Sequence, residues 1–219
     1  MLHSIMTVSF YIGMLVVIIA AQYAKATPLY ITDDAQTTPE KSCQLEVSQF
    51  FQASTTNFNI NPACTLGTVE LSLPVNFDAQ QSTSWAAQLK HTLYLSDHFG
   101  VAVSGSYQPK QHENVSVWSL NIPFSFYHLY GDTQLDVNLG MAQAHEEKNE
   151  LVWAVALTKP ISTDQRIGLE YFKAATERKR LQAIWSIDLN KDTSIYLSYS
   201  QTTRSSFEQW FGLGLSFAV

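Results

Sequence analysis

Charge is scarce in this chain and leans negative, with thirteen Lys and Arg against nineteen Asp and Glu in 219 residues. The basic surface that a nucleic-acid partner requires is missing, so that class of partner is excluded. Low charge combined with 46% hydrophobic residues also excludes a disordered chain or a coiled coil. Two cysteines cannot staple a disulfide-rich scaffold, though they can form one bridge. Long apolar runs are absent after the first residues, which removes a helical membrane protein from consideration. No phosphate-binding loop, dinucleotide fingerprint or metal cage occurs. The sequence therefore gives no catalytic residue, no metal ligand set and no cofactor, and it is read as a non-enzyme.

The one apolar run, residues 5–21 (IMTVSFYIGMLVVIIAA), precedes Ala24-Lys25-Ala26. Small residues at the first and third positions before a break after Ala26 are what signal peptidase reads. The run is short for a bilayer-spanning helix, although its n-region carries only His3 and the terminal amine. Residues 1–26 are expected to be a cleaved signal peptide, with an uncleaved anchor as the alternative. Without Lys25, twelve basic residues face nineteen acidic ones and the mature chain is near -7. Export also permits a disulfide.

Residues 27–42 are polar, include Asp33-Asp34 and two prolines, and read as an extended periplasmic leader. From Cys43 onward apolar residues recur at every second position, which is the period of strands with one apolar face. Trp118, Leu120, Ile122, Phe124 and Phe126 alternate with Ser119, Asn121 and Ser125, and Leu135, Val137, Leu139 and Met141 with Asp136, Asn138 and Gly140. Twelve such segments are expected: 43–52, 55–64, 67–77, 84–96, 99–108, 115–128, 133–143, 150–159, 165–174, 180–189, 193–202 and 207–218. Their length suits a tilted strand crossing a hydrocarbon layer.

The links between strands alternate in character. Thr65-Leu66, Asp97-His98, Leu129–Asp132, Pro160–Asp164 and Asn190–Asp192 are short, whereas Asp78–Thr83, Pro109–Asn114, Ala144–Asn149 and Ala175–Lys179 are mostly longer and more polar. Tight periplasmic turns and longer outer loops build an outer-membrane barrel. The expected fold is all-β, an antiparallel up-and-down transmembrane barrel over 43–219. Twelve strands are expected; ten is the nearest alternative, because Pro74 and Pro123 remove ladder donors.

A soluble barrel also has period two, but its outer face must be charged enough for water. Here the second face is mostly small and neutral, and charge collects in loops such as Lys110–Glu113, His145–Glu150 and Glu177–Arg180. Phe51, Phe77, Trp85, Phe99, Trp118, Trp153, Tyr171 and Tyr199 fall near strand ends on the apolar face, where an aromatic girdle belongs. The partners this implies are the outer-membrane bilayer, the barrel-assembly machinery and a small-molecule solute.

Strand parity places Glu46, Glu70, Lys90, Asp136, Arg166, Glu170, Asp188 and Glu208 on the inward face, with Arg180 as a further candidate. Two readings fit. The charges either fill a closed barrel as ion pairs, Lys90 or Arg166 with a neighbouring carboxylate, or line an acid-biased passage that favours cations. The histidines are weaker evidence. His112 and His145 sit in solvated loops, His91 points to lipid, and His98 and His128 lie near the periplasmic rim, so an outer-membrane hydrolase has no triad to draw on. The function classes are thus a passive channel, a structural or surface-interaction barrel with a plugged lumen and, last, a hydrolase.

A disulfide between Cys43 and Cys64 follows from pairing arithmetic. An antiparallel hairpin keeps the sum of paired residue numbers constant, and this pair fixes it at 107. Leu45 then meets Pro62 and Val47 meets Ile60 on one face, while Glu46 meets Asn61 and Ser48 meets Asn59 on the other. The same register closes over Ala53-Ser54. The alternative is two free thiols.

Pro28-Leu29-Tyr30-Ile31-Thr32-Asp33-Asp34-Ala35, then Cys43-Gln44-Leu45-Glu46, Pro62-Ala63-Cys64 and Val69-Glu70-Leu71, resemble the start of a family of proteobacterial outer-membrane barrels. Its members open with a PLxTDDA leader and a CQLE or QLE first strand; this chain has one residue more between Leu29 and Thr32. It is similar to the transporters grouped with the phenol-degradation meta-pathway barrel family. The resemblance covers about the first fifty mature residues. It implies an outer-membrane barrel passing small hydrophobic or aromatic compounds, and it supplies no catalytic residues.

Overall fold

The computed structural model describes residues 28–52, 55–78, 83–110, 115–144, 148–174, 179–203 and 208–218. The expected signal peptide, Ala53-Ser54 and the centres of the expected outer loops lie outside these residues. Fourteen strand segments follow in order: β1 Cys43–Gln52, β2 Thr56–Leu66, β3 Val69–Ser72, β4 Val75–Asp78, β5 Thr83–Trp85, β6 Ala87–Leu95 and β7 Phe99–Gln108. The remainder are β8 Val117–Phe126, β9 Gln134–Ala144, β10 Glu150–Pro160, β11 Gln165–Lys173, β12 Arg180–Asp188, β13 Thr193–Thr202 and β14 Gln209–Ala218.

Each strand pairs antiparallel with its neighbours, and β1 pairs with both β2 and β14, so the sheet closes on itself. Fourteen segments make twelve barrel strands. β3 and β4 meet β2 in one register, with paired numbers summing to 135 throughout. β3–β6 and β4–β5 likewise share a sum of 160. The interruption is Pro74, which has no N–H to give. Leu73 N donating to Pro62 O and Ala86 N donating to Pro74 O, both at 3.0 Å, carry the ladders past it. Pro123 opens the ladder to β7 between Val101–Phe124 and Ser104–Asn121, yet keeps its place opposite Asn138 on β9. Both prolines are local interruptions, and twelve strands stand.

Two details depart from strict alternation. The turn expected at Thr65-Leu66 falls at Gly67-Thr68, because Gly67 takes the left-handed φ of 64° and Thr65 is held in the ladder by Lys41 and Ser42. A bulge between Thr92 and Tyr94 leaves Leu93 and Tyr94 outward and swings Leu95 inward at the terminal rim, opposite Gly100 and beside Ala35.

The molecule is apolar outside and polar inside. Leu71, Leu89, Leu120, Leu139, Leu157, Leu169, Leu197 and Leu213 form an exposed belt around the ring, too extensive for a surface in water. Aromatic rings flank it: Phe58–Phe77, Trp153–Tyr171 and Tyr199–Phe211 at the loop end, Phe99–Phe126 at the terminal end, where β1 begins and β14 finishes. Buried positions inside are mainly Ser, Thr, Asn, Gln and Ala. The first hairpin has the expected register, Cys43 opposite Cys64. Those cysteines are bridged, with Cα atoms 4.0 Å apart, and Gln52 and Thr55 close the hairpin by mutual backbone bonds.

Candidate functional site

The barrel interior is occupied by its own N-terminal segment. Residues 28–42, within the stretch read from the sequence as an extended periplasmic leader, run inside the ring of strands. At the terminal end, Ser42 N donates to Pro39 O and Lys41 takes a left-handed φ of 63°, turning the chain from the lumen into β1. Burial then recurs at every third residue, Thr38, Ala35, Thr32 and Leu29. That is the period of a polyproline II-type extended chain, which makes no hydrogen bonds of its own.

The wall supplies them instead. Thr38 N donates to Glu70 Oε2 at 2.6 Å, Ala35 N to Ser125 Oγ at 2.8 Å, and Asp33 N to Asn138 Oδ1 at 2.7 Å. Asn138 Nδ2 returns a bond to Asp33 O at 2.7 Å, and Thr92 Oγ1 donates to Ala35 O at 2.8 Å. Ile31 N, Thr32 N and Thr32 Oγ1 all converge on Glu170 Oε1. Gln182 Nε2 reaches Leu29 O at 2.7 Å. Glu170 and Gln182 are each only 1% exposed, so these are dry contacts and worth more than the same bonds in water.

Side chains of the segment are also received. Leu29 packs with Ile184, Tyr196, Tyr30 and Phe50, the apolar core of the molecule, which sits inside the lumen. The Tyr30 hydroxyl pairs with Thr158 Oγ1 and lies over Gly168, where any Cβ would collide with it. Lys90, 4% exposed, donates to Asp33 Oδ1 at 2.6 Å and to Asp34 Oδ1 at 3.3 Å.

The inward charges therefore divide by task. Glu70, Lys90 and Glu170 hold the segment directly, and Asp136 accepts from Ser125 at 2.6 Å and from Gln134. Glu46 accepts from Asn61 at 2.8 Å. Arg166 pairs with Asp188 at 3.0 Å near the terminal end. Glu208 pairs with Arg180 at the loop end, where Arg180 stacks 4.0 Å from the Trp210 ring centroid. Sequence reasoning missed the segment's own Asp33 and Asp34. The available signal was Pro28-Leu29-Tyr30-Ile31, an apolar start to a polar stretch with no reason to face water.

A cavity of about 790 Å³ remains beside the segment. Asp33, Asp34, Glu46, Glu70 and Asp136 line it against Lys90 and Arg166, with Ser104, Ser106, Ser119 and Asn121 between. Carboxylates outnumber cations there, and in a confined lumen this gives a negative potential. Elsewhere, His91 Nδ1 lies 2.8 Å from Thr68 O, and His98 and His128 meet edge to face beside Asp132 at the terminal rim.

Comparison with solved structures places the architecture. A KdgM porin superposes with a TM-score of 0.67 at 12% identity over 80% of this chain and 98% of that one. A NanC porin gives 0.63 at 12% identity over 79% and 98%, and Omp33 of Acinetobacter baumannii 0.54 at 10% over 81% and 98%. The fold is that of outer-membrane porins. No curated protein sequence matches. One sequence family does, over residues 14–219, and the chain belongs to it: Uncharacterised conserved protein UCP029691.

Proposed function

We propose that this protein is a passive channel for small polar solutes in the Gram-negative outer membrane. In this reading it is exported by a signal peptide cleaved after Ala26 and inserted by the barrel-assembly machinery. The observation that carries the reading is the pairing of a lipid-compatible outer belt with a polar, acid-lined cavity of about 790 Å³. A closed ring leaves no strand edge, so the backbone is satisfied within the membrane.

The lining also bears on selectivity. One structure similar to this chain is a KdgM porin in complex with disordered oligogalacturonate. A chain of uronates would here meet more carboxylates than cations, so the lining favours cationic and neutral solutes. The small hydrophobic or aromatic solutes implied by the family resemblance would cross the same polar surface, which favours them less.

Conductance of purified protein in a planar bilayer tests the proposal. Discrete steps are expected, with a reversal potential in a KCl gradient that reports preference for K⁺ over Cl⁻. Anion preference would remove the lining argument. Absence of steps would favour the second reading, a structural barrel with a filled lumen, which the seated N-terminal segment supports. Swelling of proteoliposomes in arginine, glucose and phenol distinguishes the solute classes.

A further inference from the structure

We propose that the inner wall carries a built binding site for an extended peptide, and that residues 28–38 are its tethered, displaceable occupant. The wall is organised around main-chain atoms. A lumen needing only to be polar has no use for buried side chains aimed at successive amides. Yet Glu170 takes the N–H groups of Ile31 and Thr32, Asn138 takes both the N–H and C=O of Asp33, and Gln182 takes the C=O of Leu29. Reading main-chain groups along an extended ligand is how peptide sites obtain affinity, while side-chain pockets give specificity.

Specificity has two sources here. The Leu29 side chain is 1% exposed between Ile184 and Tyr196. Lys90 grips the paired carboxylates of Asp33 and Asp34. The ligand class is therefore an extended peptide with an aliphatic residue followed, four positions on, by two acids.

The tether is equally defined. The segment turns at Pro39–Ser42 and joins the wall beside the Cys43–Cys64 bridge, so that its root is fixed when its body leaves. It has no ladder partner of its own, so it can leave without breaking a strand pair. While seated it narrows the lumen. Its departure widens the passage, a consequence that rests on the channel reading, whereas the peptide site does not.

The experiment compares the full chain with a variant lacking residues 28–38, using a fluorescently labelled synthetic peptide of that sequence. The peptide is expected to bind the deletion variant by anisotropy and not the full chain. A peptide with Asp33→Asn and Asp34→Asn, or a barrel with Lys90→Met, should bind about tenfold more weakly, the loss of a charged hydrogen bond. In bilayers the deletion should raise conductance, and added peptide should lower it again.

Binding without any conductance in either form supports the site and overturns the channel. Higher conductance without peptide binding, or equal binding of a scrambled peptide, overturns the site and leaves the channel. Should the deletion variant fail to show the heat-modifiable mobility of a folded barrel, hydrogen exchange of the full chain decides. Protection of the Ile31, Thr32, Asp33 and Ala35 amides that is lost before that of the strands supports a displaceable occupant. Free exchange at these amides, or loss only together with the strands, overturns it.

Discussion

Arginine placed at Leu139 and at Ser119 separates a membrane barrel from a packed soluble one. Leu139 is central in β9, 50% exposed, and faces outward between Ile122 of β8 and Trp153 of β10. In a bilayer that exposure is to hydrocarbon. An Arg at the midplane of a barrel's lipid face costs about 2–4 kcal/mol, which lowers the folding equilibrium roughly 30- to 1,000-fold. Ser119 is on the adjacent strand but points inward, its hydroxyl 2.7 Å from that of Ser106 on the wall of the cavity. Replacing it loses one neutral hydrogen bond, about 1 kcal/mol, and sends a guanidinium into an acidic, hydrated space that compensates part of that. Unfolding in urea from lipid vesicles, read by Trp fluorescence, should put Leu139→Arg well below wild type and Ser119→Arg within about 1 kcal/mol of it. Equal damage at the two positions would mean that both faces are packed interiors, and the outward belt would then need another explanation. Asn138, inward on the same strand as Leu139, is different again. It is pinned to Asp33 by two bonds, so Asn138→Arg should unseat the N-terminal segment while leaving the barrel folded.

Three further outcomes follow from the geometry. Alkylation of unreduced protein should leave Cys43 and Cys64 unmodified in its mass spectrum, and replacing both with Ser should lower stability by about 2–4 kcal/mol; two alkylated thiols would remove the bridge. Gly168→Val should push Tyr30 off Thr158 and speed hydrogen exchange of the Ile31 and Thr32 amides without altering barrel mobility in gels; unchanged exchange would show that Tyr30 does not lie over this glycine. A protease tag at 111–114 should be cut on intact cells and one at 190–192 protected, the reverse meaning the opposite orientation in the membrane.

The strands were legible because lipid and lumen impose opposite demands on successive residues, and a period of two is written directly into Leu135–Met141 or Trp118–Phe126. Where several readings satisfied that demand, the boundaries slipped. Leu93 and Tyr94 both tolerate an outward position, so nothing in their chemistry revealed the bulge that puts both there and moves Leu95 to the inward side. The turn at Gly67-Thr68 was displaced for a related reason. Leu66 is apolar and highly exposed, and its pairing with Val69, together with the bonds of Thr65 to Lys41 and Ser42, carries the second strand on to it. Cys43 and Cys64 were the easiest feature, since one pairing sum had to sort both faces of a hairpin at once.

The seated segment was illegible for a deeper reason. Its buried positions, Leu29, Thr32, Ala35 and Thr38, follow a period of three and share no hydropathy, so no apolar stripe announces them. Its affinity for the wall lies largely in backbone groups, which every sequence possesses. The partners on the wall, Glu70, Glu170, Asn138 and Gln182, are the residue types that any wet lumen would show. Parity placed the charges; it could not say what they faced. Lys90 is opposite Glu70 in the sheet register, and the simplest expectation was a cross-strand ion pair. Instead Lys90 turns to Asp33 and Asp34, and Glu70 accepts the amide of Thr38. The inward carboxylates have a second task besides setting the charge of the lumen. Two of these, Glu70 and Glu170, serve as acceptors for a chain that has no strand beside it, and an extended segment buried without such acceptors would lose its hydrogen bonds on entering the barrel.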